Sequence, residues 1–385
     1  MPQQVIIPAG LAQYTTQQTI VVRSPGRINL IGEHTDYNNG FVLPAAIDKA
    51  AYIAITPRSD RKIHLYAVDL SDRYETAVDE LQKSDKSWPN YILGVVQQFA
   101  LAGIPLCGFD AALSADIPIG AGLSSSAAVE CATAVALNEL LNTGFDKLEL
   151  VKMAQKAENE FVGVQCGIMD QFASMFGRHN HAMRLDCRSL QYEYVPFNMD
   201  GIKIVLLDTN VKHSLDATEY NVRRNQCEKG VAMIQQHVPG VESLRDVTMP
   251  MLDQYVMQKE PLIYRRCKYV VEENNRLLDA CEELEKNNLR GFGEKMFASH
   301  EGLSKLYEVS CPELDFLAAH VSSNPSVLGA RMMGGGFGGC TINLVKEDAT
   351  EELVAAASIA YKKAMNRDLT AHIAQIETGN TILKP

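Results

Sequence analysis

Residues 23–44 read R-S-P-G-R-I-N-L-I-G-E-H-T-D-Y-N-N-G-F-V-L-P. Within ten of these positions, around a short apolar run, stand four ionisable side chains: Arg27, Glu33, His34 and Asp36. Ordinary core strands do not carry Glu-His-Thr-Asp directly after an apolar run. Carboxylates and an imidazole form paired hydrogen bonds with neighbouring hydroxyl groups, so one interpretation is a site for a polyhydroxylated ligand such as a sugar. A solvated turn between two strands is the other, and this segment alone leaves both open.

Length and charge limit the class of protein. The chain has 385 residues, of which 46% are hydrophobic, and is therefore long enough for two domains, each with its own core. Its formal net charge of -11 argues against nucleic acid or an anionic membrane as the main partner, because both select basic surfaces. A phosphate ligand remains compatible with this charge, since a local cluster of backbone N–H groups can bind it.

Cysteine usage and hydropathy indicate a cytoplasmic protein. The nine cysteines contain no C-x-x-C pair, which favours free thiols in a reducing compartment over disulfides or a zinc site. The first residues, M-P-Q-Q-V-I-I-P, lack the charged and apolar regions of a signal peptide. The sequence contains no apolar stretch near the ~20 residues that span a bilayer.

The hydrophobic pattern predicts an α+β protein with two domains, residues 1–180 and 181–385. Strands are predicted at 20–23, 40–43, 51–57, 62–67, 109–114, 202–208, 341–345 and 370–377. Helices are predicted at 91–101, 146–162, 217–236, 265–286 and 349–365, with a further helix from about Met169. The polar run R-H-N-H at 178–181 predicts a turn near the domain boundary. Its H-x-H pair lacks a third metal ligand close by, which favours the turn over a metal site.

A second motif, G-A-G-L-S-S-S at residues 120–126, leads into an Ala-rich segment that predicts a helix. The first N–H groups of a helix have no internal partner, and the helix dipole makes that end electropositive. Phosphate oxygens fit such a site, and serine hydroxyls can cap the helix, bind phosphate or reach Mg²⁺. A serine helix cap without a ligand is the alternative, and the motif alone leaves both open.

A third motif, G-G-G-F-G-G at residues 334–339, has five glycines in six positions. Such a run costs chain entropy and indicates close backbone approach or unusual φ angles, although a flexible hairpin is the alternative. Between the second and third motifs lie two further carboxylates, Glu158 on a predicted helix and Asp170 at a predicted helix start. Taken alone, Glu158 is typical of a surface helix charge and Asp170 of a helix cap.

Taken together, these segments resemble the GHMP kinase superfamily and, within it, the galactokinase family. The resemblance is carried by residues 25–44, by P-I-G-A-G-L-S-S-S-A-A at 118–128, by A-R-M-M-G-G-G-F-G-G-C at 330–340, and by G-I-M-D-Q at 167–171 and T-E-Y-N-V-R-R-N-Q-C-E at 218–228. It covers almost the whole chain in the family's order. It implies a ribosomal protein S5 domain 2-like N-terminal domain, a ferredoxin-like C-terminal domain, and an active site in the cleft between them.

The resemblance also implies a role for each candidate residue. The residues that would bind the sugar hydroxyls are Glu33, His34, Thr35, Asp36, Gly167 and Tyr220. Asp170 would lie beside the C1 hydroxyl of the sugar as the general base, or would only orient it, and Arg27 would lie near both that hydroxyl and the γ-phosphate of ATP. The residues that would wrap the ATP phosphates are Gly120, Ala121, Gly122, Leu123, Ser124, Ser125 and Ser126. Ser126 and Glu158 would hold Mg²⁺.

The implied activity is ATP-dependent phosphorylation of galactose at the C1 hydroxyl by a monomeric enzyme, giving galactose 1-phosphate and ADP, the first committed step of galactose catabolism by the Leloir pathway. One alternative is a related sugar-1-kinase acting on N-acetylgalactosamine or arabinose. Another is a non-catalytic sensor of galactose and ATP. The intact S-S-S-A-A run, together with Asp170 and Arg27, favours catalysis.

Two segments depart from the family pattern. Met333 stands where the family usually has Thr, which predicts a modest loss of hydroxyl contacts near the phosphates. The run S-L-D-A-T at residues 214–218 differs from the family's small residue-Gly-Ser run, so that the contacts around Tyr220 are less well defined by the resemblance.

Overall fold

The computed structural model describes residues 7–118, 120–211 and 217–384, except for the side chains of residues 217 and 218. Within these ranges the strands are β1 (Ile20–Asn29), β2 (Phe41–Val42), β3 (Pro44–Pro57), β4 (Lys62–Ala67), β5 (Asp72–Ala77), β6 (Phe109–Ala115), β7 (His181–Asp186), β8 (Tyr192–Pro196), β9 (Ile202–Asp208), β10 (Val327–Met332), β11 (Cys340–Lys346), β12 (Thr370–Ala374) and β13 (Thr381–Lys384). The helices are α1 (Ala9–Ala12), α2 (Ser87–Leu101), α3 (Ser125–Leu141), α4 (Lys147–Lys156), α5 (Met169–Phe176), α6 (Ala217–Gln235), α7 (Met249–Tyr255), α8 (Pro261–Glu285), α9 (Leu289–Gly302), α10 (Pro312–Ser322) and α11 (Thr350–Met365). This mixture confirms the predicted α+β class. Among the described helices, none combines the length and apolar character needed to cross a membrane.

A six-stranded sheet with the order β13-β1-β3-β6-β4-β5 supports the first half of the chain. Its strands pair antiparallel, except that β4 and β6 run parallel. Helix α3 packs on β1 and β3, and α2, α4 and α5 pack around α3. Because α3 is made largely of small residues, it lies close to the sheet and is buried along most of its length. The N-terminus of α3 is thereby fixed beside β1, where the first two motifs meet.

A second sheet, of four strands in the order β10-β11-β9-β12, supports the C-terminal half. Helices α9 and α10 pack against β10, and α11 packs against β9. The third glycine-rich motif is the connection between β10 and β11, and its strands are almost fully buried on both sides of it. The connection is therefore anchored at both ends.

A third sheet, of strands β2, β7 and β8, joins residues on both sides of position 180. Strand β2 pairs with β7 through Phe41 and Val42, and β13 returns from the end of the described chain to pair with β1. The polar run at 178–181 forms the predicted turn, in which the His181 N–H donates to the Arg178 carbonyl at 3.1 Å. A domain boundary near residue 180 stays a prediction.

Nine described elements were not predicted: β5, β7, β8, β10, β13, α1, α7, α9 and α10. Among the predicted elements, two that lie near the candidate site differ from their predicted form. Strand β1 continues past Arg23 to Asn29, because the chain absorbs Pro25 and Gly26 in a register shift against β3 instead of ending the strand there. The predicted helix 146–162 is α4 followed by a π-helical segment, Ala157–Val162, which ends at Gly163 with φ +97°. Such π-helical segments often occur at functional sites. This one contains Glu158.

Candidate active site

One cavity brings the three motifs together. Its walls are formed by Arg27, Glu33, His34, Asp36, Gly122, Ser124, Ser126, Glu158, Val164, Cys166, Gly167, Met169, Asp170, Tyr220, Gly334 and Gly335. Residues from the first half of the chain form most of the wall, while Tyr220 comes from α6 and the two glycines from the β10–β11 connection. Residues separated by about three hundred positions in the chain therefore lie around one space.

In the cavity wall, Arg27 and Asp170 form a bidentate ion pair. Arg27 Nε donates to Asp170 Oδ1 and Nη2 donates to Oδ2, both at 2.9 Å. The third nitrogen, Nη1, donates to the Gly122 carbonyl at 2.7 Å, which ties the pair to the second motif. Burial would lower the pKa of Arg27, but the charges of Asp170, Glu33 and Asp36 and the hydrogen bond to Asp170 together outweigh burial and raise it. Arg27 is 5% exposed and Asp170 25%, so the carboxylate is the part open to a ligand.

The Ser124 side chain contacts Asp170 instead of capping helix α3. It occupies the N-cap position of α3 with φ +57°, yet its side chain caps no backbone N–H. Its hydroxyl donates instead to Asp170 Oδ2. The sequence predicted this serine as part of a phosphate loop or as a helix cap, and gave no sign of a contact with Asp170.

Glu33 links the first motif to the third. Its Oε1 accepts from Arg331 Nη2 at 3.0 Å and from the Gly334 N–H at 2.8 Å. Burial would raise the pKa of Glu33, but the charges of Arg331 and Arg27 and the hydrogen bonds to the carboxylate together outweigh burial and lower the pKa. The carboxylate is therefore ionised although it is almost completely buried.

His34 is neutral and bonded through both ring nitrogens. Burial lowers its pKa to about 4. Nε2 lies 3.2 Å from the Gly335 carbonyl, which can only accept, so Nε2 carries the proton. Nδ1 then accepts from the Tyr37 hydroxyl at 2.8 Å, and Tyr37 in turn accepts from the Tyr307 hydroxyl at 2.7 Å. His34 reaches the cavity with its ring, against the ring of Tyr220 at a centroid distance of 5.4 Å.

The Asp36 side chain packs directly against Gly167. A Cβ added at Gly167 would lie 1.9 Å from Asp36 Oδ2, so any larger residue would displace the carboxylate. Burial, and after it the charge of Asp170, raise the pKa of Asp36 to about 7. Near neutral pH Asp36 is therefore poised between its neutral and ionised forms.

The other predicted binding residues are placed differently. Thr35 is buried, and its hydroxyl donates to the Gly32 carbonyl at 2.8 Å and to that of Phe41, so it shapes the loop and not the cavity wall. In the second motif, Gly122, Ser124 and Ser126 reach the cavity. Ala121 and Leu123 pack in the main hydrophobic core, while Gly120 is exposed and Ser125 half-buried.

Ser126 and Glu158 offer the donors that Mg²⁺ prefers. Burial, and after it the Asp170 charge, raise the pKa of Glu158, while the Ser126 hydroxyl acts in the opposite sense. A cation at this point would offset the cost of burying the carboxylate. Mg²⁺ characteristically takes one or two protein oxygens and completes its shell with water and phosphate, and this pair fits that pattern. Among the described residues there is no cluster of three or more His, Cys, Asp or Glu side chains suited to a metal.

Several contributing residues were not predicted. Arg331, Tyr37 and Gln171 hold site residues in place, but each stands in an apolar or family-like segment whose pattern does not indicate a partner. Arg331 directly precedes M-M-G-G-G. An arginine beside a glycine-rich motif is the sequence feature that could have indicated its role. The side chain of Met333 is fully buried in the main core, and its N–H donates to the Cys340 carbonyl at 3.0 Å. The variant run at 214–218 lies outside the described residues, except that the backbone of α6 begins at Ala217.

With this geometry established, comparison with known proteins defines the class. The family model for the GHMP kinases N terminal domain matches residues 90–178, and that for the GHMP kinases C terminal domain matches residues 280–363. A solved mevalonate kinase shares the fold, with a TM-score of 0.63 and 21% identity over 93% of this chain and 99% of that one. The fold is that of a GHMP kinase, as the motifs predicted.

More specific matches define the family. The galactokinase galactose-binding signature matches residues 12–57. A galactokinase of Roseiflexus sp. is 42% identical over 95% of this chain and 93% of its own, and one of Thermotoga petrophila is 43% identical over 94% and 99%. A crystal structure of Lactococcus lactis galactokinase complexed with galactose has a TM-score of 0.91 and 37% identity, covering 96% of this chain and 97% of that one. The chain belongs to the galactokinase family.

Proposed function

We propose that this protein transfers the γ-phosphoryl group of ATP to the C1 hydroxyl of galactose, forming galactose 1-phosphate and ADP. The observation that carries this proposal is the Arg27–Asp170 pair, bonded to the second motif through Gly122 and facing a cavity that all three motifs line. The relatives named galactokinase, and the related structure that contains galactose, support the choice of sugar.

The sugar would lie against the first motif. The carboxylates of Glu33 and Asp36 accept hydrogen bonds from hydroxyl groups, and Tyr220 provides an apolar ring face with a polar tip. Glu33 is fixed by Arg331 and Gly334, so its geometry is set before the ligand binds. His34 would contribute through its ring, because both of its nitrogens are bonded within the protein. Preorganised acceptors of this kind favour one arrangement of hydroxyl groups over its epimers.

Asp170 would act as the general base. Its carboxylate would take the proton of the C1 hydroxyl as that oxygen attacks the γ-phosphorus, and the bond between the γ-phosphorus and the bridging oxygen of ADP would break. Arg27 holds Asp170 through two bonds and brings a positive charge to the point where phosphoryl transfer concentrates negative charge. We favour the base role over simple orientation; the carboxylate, unlike the guanidinium, is partly open to the cavity, as either role requires.

The phosphates of ATP would lie at the N-terminus of α3. The glycines of the second motif allow close approach of the backbone, and the helix dipole favours an anion at this end. Ser126 and Glu158 would hold Mg²⁺, which when bound would neutralise charge on the phosphates. The chain's own residues would position the phosphoryl group in line with the C1 oxygen, which is most of what this reaction requires.

We also propose a cytoplasmic monomer with its domain boundary near residue 180. The formal net charge of -11 supports a protein that stays dispersed in solution. Light scattering on a size-exclusion column would measure the mass, for which 42.4 kDa is expected.

The experiment that tests the activity is an ADP-release assay with Mg²⁺ and ATP, using galactose, glucose, N-acetylgalactosamine and arabinose, with the product identified by NMR. Strong preference for galactose and phosphate on the C1 oxygen are expected. Turnover confined to another sugar would reject the substrate and keep the mechanism. Galactose binding without ADP release would reject catalysis and identify a sensor.

A further inference from the structure

Three buried polar side chains contact one another behind the cavity wall. Glu130 comes from α3, Glu158 from the π-helical segment, and Gln171 from the first turn of α5. The Gln171 side-chain nitrogen Nε2 donates to Glu158 Oε2 at 2.7 Å and to Glu130 Oε2 at 3.1 Å. One amide group therefore holds two carboxyl groups that come from different elements.

The arrangement of these three side chains destabilises the folded protein, which indicates a role other than stability. Glu130 and Gln171 are completely buried, and their Oε1 atoms have no hydrogen-bond partner within the described ranges 7–118, 120–211 and 217–384. A buried polar atom without a partner destabilises the folded protein. An apolar cluster at the junction of α3 and α5 would avoid that cost, so stability alone does not explain these residues.

Of the three residues, Glu158 is the one that forms part of the cavity wall. Glu158 Oε2 accepts the bond from Gln171 and also one from the Cys166 thiol, at 3.4 Å. The carboxylate is thus fixed from one side and turned toward Ser126 and the cavity. Gln171 also directly follows Asp170 in the chain. The first turn of α5 therefore carries both the carboxylate that would contact the sugar and the amide that holds Glu158.

We propose that Gln171 is a positioning residue that holds the Glu158 carboxylate for the metal ion of a magnesium-bound nucleotide, with Glu130 as its buried second anchor. This rests on the proposed function, in which Glu158 and Ser126 hold Mg²⁺. Residues that orient a metal ligand in this way typically change metal affinity by about 10–100-fold when they are removed. Asp170 and the sugar residues are held by other bonds, so the effect is confined to the metal end.

The test is isothermal titration of AMP-PNP, a non-hydrolysable ATP analogue, into the full chain with Mg²⁺ and separately with EDTA. The ratio of the two dissociation constants measures how much the metal tightens nucleotide binding. Gln171→Met keeps the volume and removes the donor, and we expect it to reduce that ratio by about tenfold or more. The dissociation constants for AMP-PNP in EDTA and for galactose should stay within about twofold of wild type.

The matched control is Gln98→Met. Gln98 is another buried glutamine, on α2, whose Nε2 donates to Glu160 Oε2 at 3.1 Å in the same π-helical segment. If this variant loses the metal effect as fully as Gln171→Met, the effect is one of general packing and the proposal is wrong. An unchanged ratio in Gln171→Met also rejects it, while leaving the proposed activity intact.

A second pair of variants keeps the test decisive if Gln171→Met does not fold. Glu130→Gln retains an oxygen that accepts from Gln171 and should preserve most of the metal effect, whereas Glu130→Leu removes that acceptor and should reduce it. Equal ratios in these two variants would reject Glu130 as an anchor. If wild type shows neither tightening by Mg²⁺ nor turnover of galactose, the proposed function fails together with this inference.

Discussion

Asp170 accepts three hydrogen bonds, two from Arg27 and one from Ser124, and still exposes a quarter of its side chain. Such a carboxylate is fixed in direction but open to one more donor. The sequence identified Asp170 and Arg27 only through their resemblance to a family, since Asp at a helix start ordinarily caps the helix. The two residues are 143 positions apart, and no sequence pattern near either one indicates that they pair.

We expect Asp170→Asn to lose about a thousandfold or more in kcat while galactose binding changes little. The amide cannot take the hydroxyl proton, although it can still accept a bond from Arg27. Stopped-flow or steady-state kinetics, together with calorimetric galactose binding, would separate the two effects.

Asp110→Asn is the control for that substitution, because Asp110 forms a half-exposed pair with Arg58 on the surface, 2.7 Å apart. It should leave kcat unchanged. Near-normal turnover in Asp170→Asn would show that the carboxylate only orients the sugar and that Arg27 supplies the rate enhancement.

Asp36 predicts a pH dependence of sugar binding. Its pKa of about 7 in the free protein means that the acceptor form is lost as the pH falls below 7. Galactose affinity should therefore weaken by up to about tenfold per pH unit between pH 7 and pH 5. Asp36→Asn should bind more weakly at pH 8 and lose this dependence.

The stability of the free protein should show the opposite trend. The pKa of Asp36 is higher in the folded protein than in the unfolded chain, so its contribution is fully present below about pH 4 and is lost as the pH rises through 7. Thermal unfolding without sugar at pH 5 and pH 8 would check this, with Asp36→Asn less affected by the change. A flat galactose affinity from pH 5 to 8 in wild type would contradict the binding prediction, and equal pH effects on the unfolding of wild type and Asp36→Asn would contradict the stability prediction.

At the scale of elements, the sequence predicted most of the helices and strands that form the candidate site, but not how each of them ends. The apolar stripe from Leu150 to Phe161 continues without a break, so it predicts one helix through Val162. Hydrophobic periodicity does not distinguish an α-helix from one that widens to a π-helical segment, since both bury the same face. The widening became visible only in the structure.

The loop between this segment and α5 gives a prediction of its own. Gly167→Ala would place a methyl group 1.9 Å from Asp36 Oδ2, so the carboxylate must move. A displacement near 1 Å can cost about a hundredfold in a positioned site, and we expect galactose affinity to fall by at least tenfold with nucleotide affinity unchanged.

Gly240→Ala is the matched control, because an added Cβ there has nothing within 4 Å. It should bind galactose as wild type does. Wild-type galactose affinity in Gly167→Ala would mean that the Asp36 carboxylate is not needed at its observed position.

On the scale of the whole molecule, Arg331 joins the two halves of the chain. It is fully buried, and its guanidinium donates to the Leu30 and Met332 carbonyls at 2.9 and 2.8 Å as well as to Glu33. The sequence predicted two domains from its length and hydrophobic pattern, and a cleft between them from the family resemblance. It could not predict this contact, because a buried charge is defined by partners about three hundred positions away and not by its neighbours in the chain.

We expect Arg331→Met to lower the free energy of unfolding by about 3–5 kcal/mol, because it leaves the Glu33 carboxylate buried without its charge partner. Galactose affinity should fall as well. Urea denaturation and calorimetry would measure the two effects. Arg61→Met, which breaks a pair that is well exposed on both sides, should leave both quantities near wild type. Similar losses in the two variants would contradict a special role for Arg331.

The pairing of β13 with β1 also determines when this protein can finish folding during synthesis. Arg23 of β1 donates to the Thr378 carbonyl, 355 positions later in the chain. At about 5–20 residues per second, the ribosome needs roughly 20–70 s to make that length. Throughout this interval the outer edge of β1 carries unpaired backbone groups, which attract other strands. The nascent chain is therefore vulnerable to aggregation until β1 has paired with β13. Chaperones that cover strand edges would act in that interval.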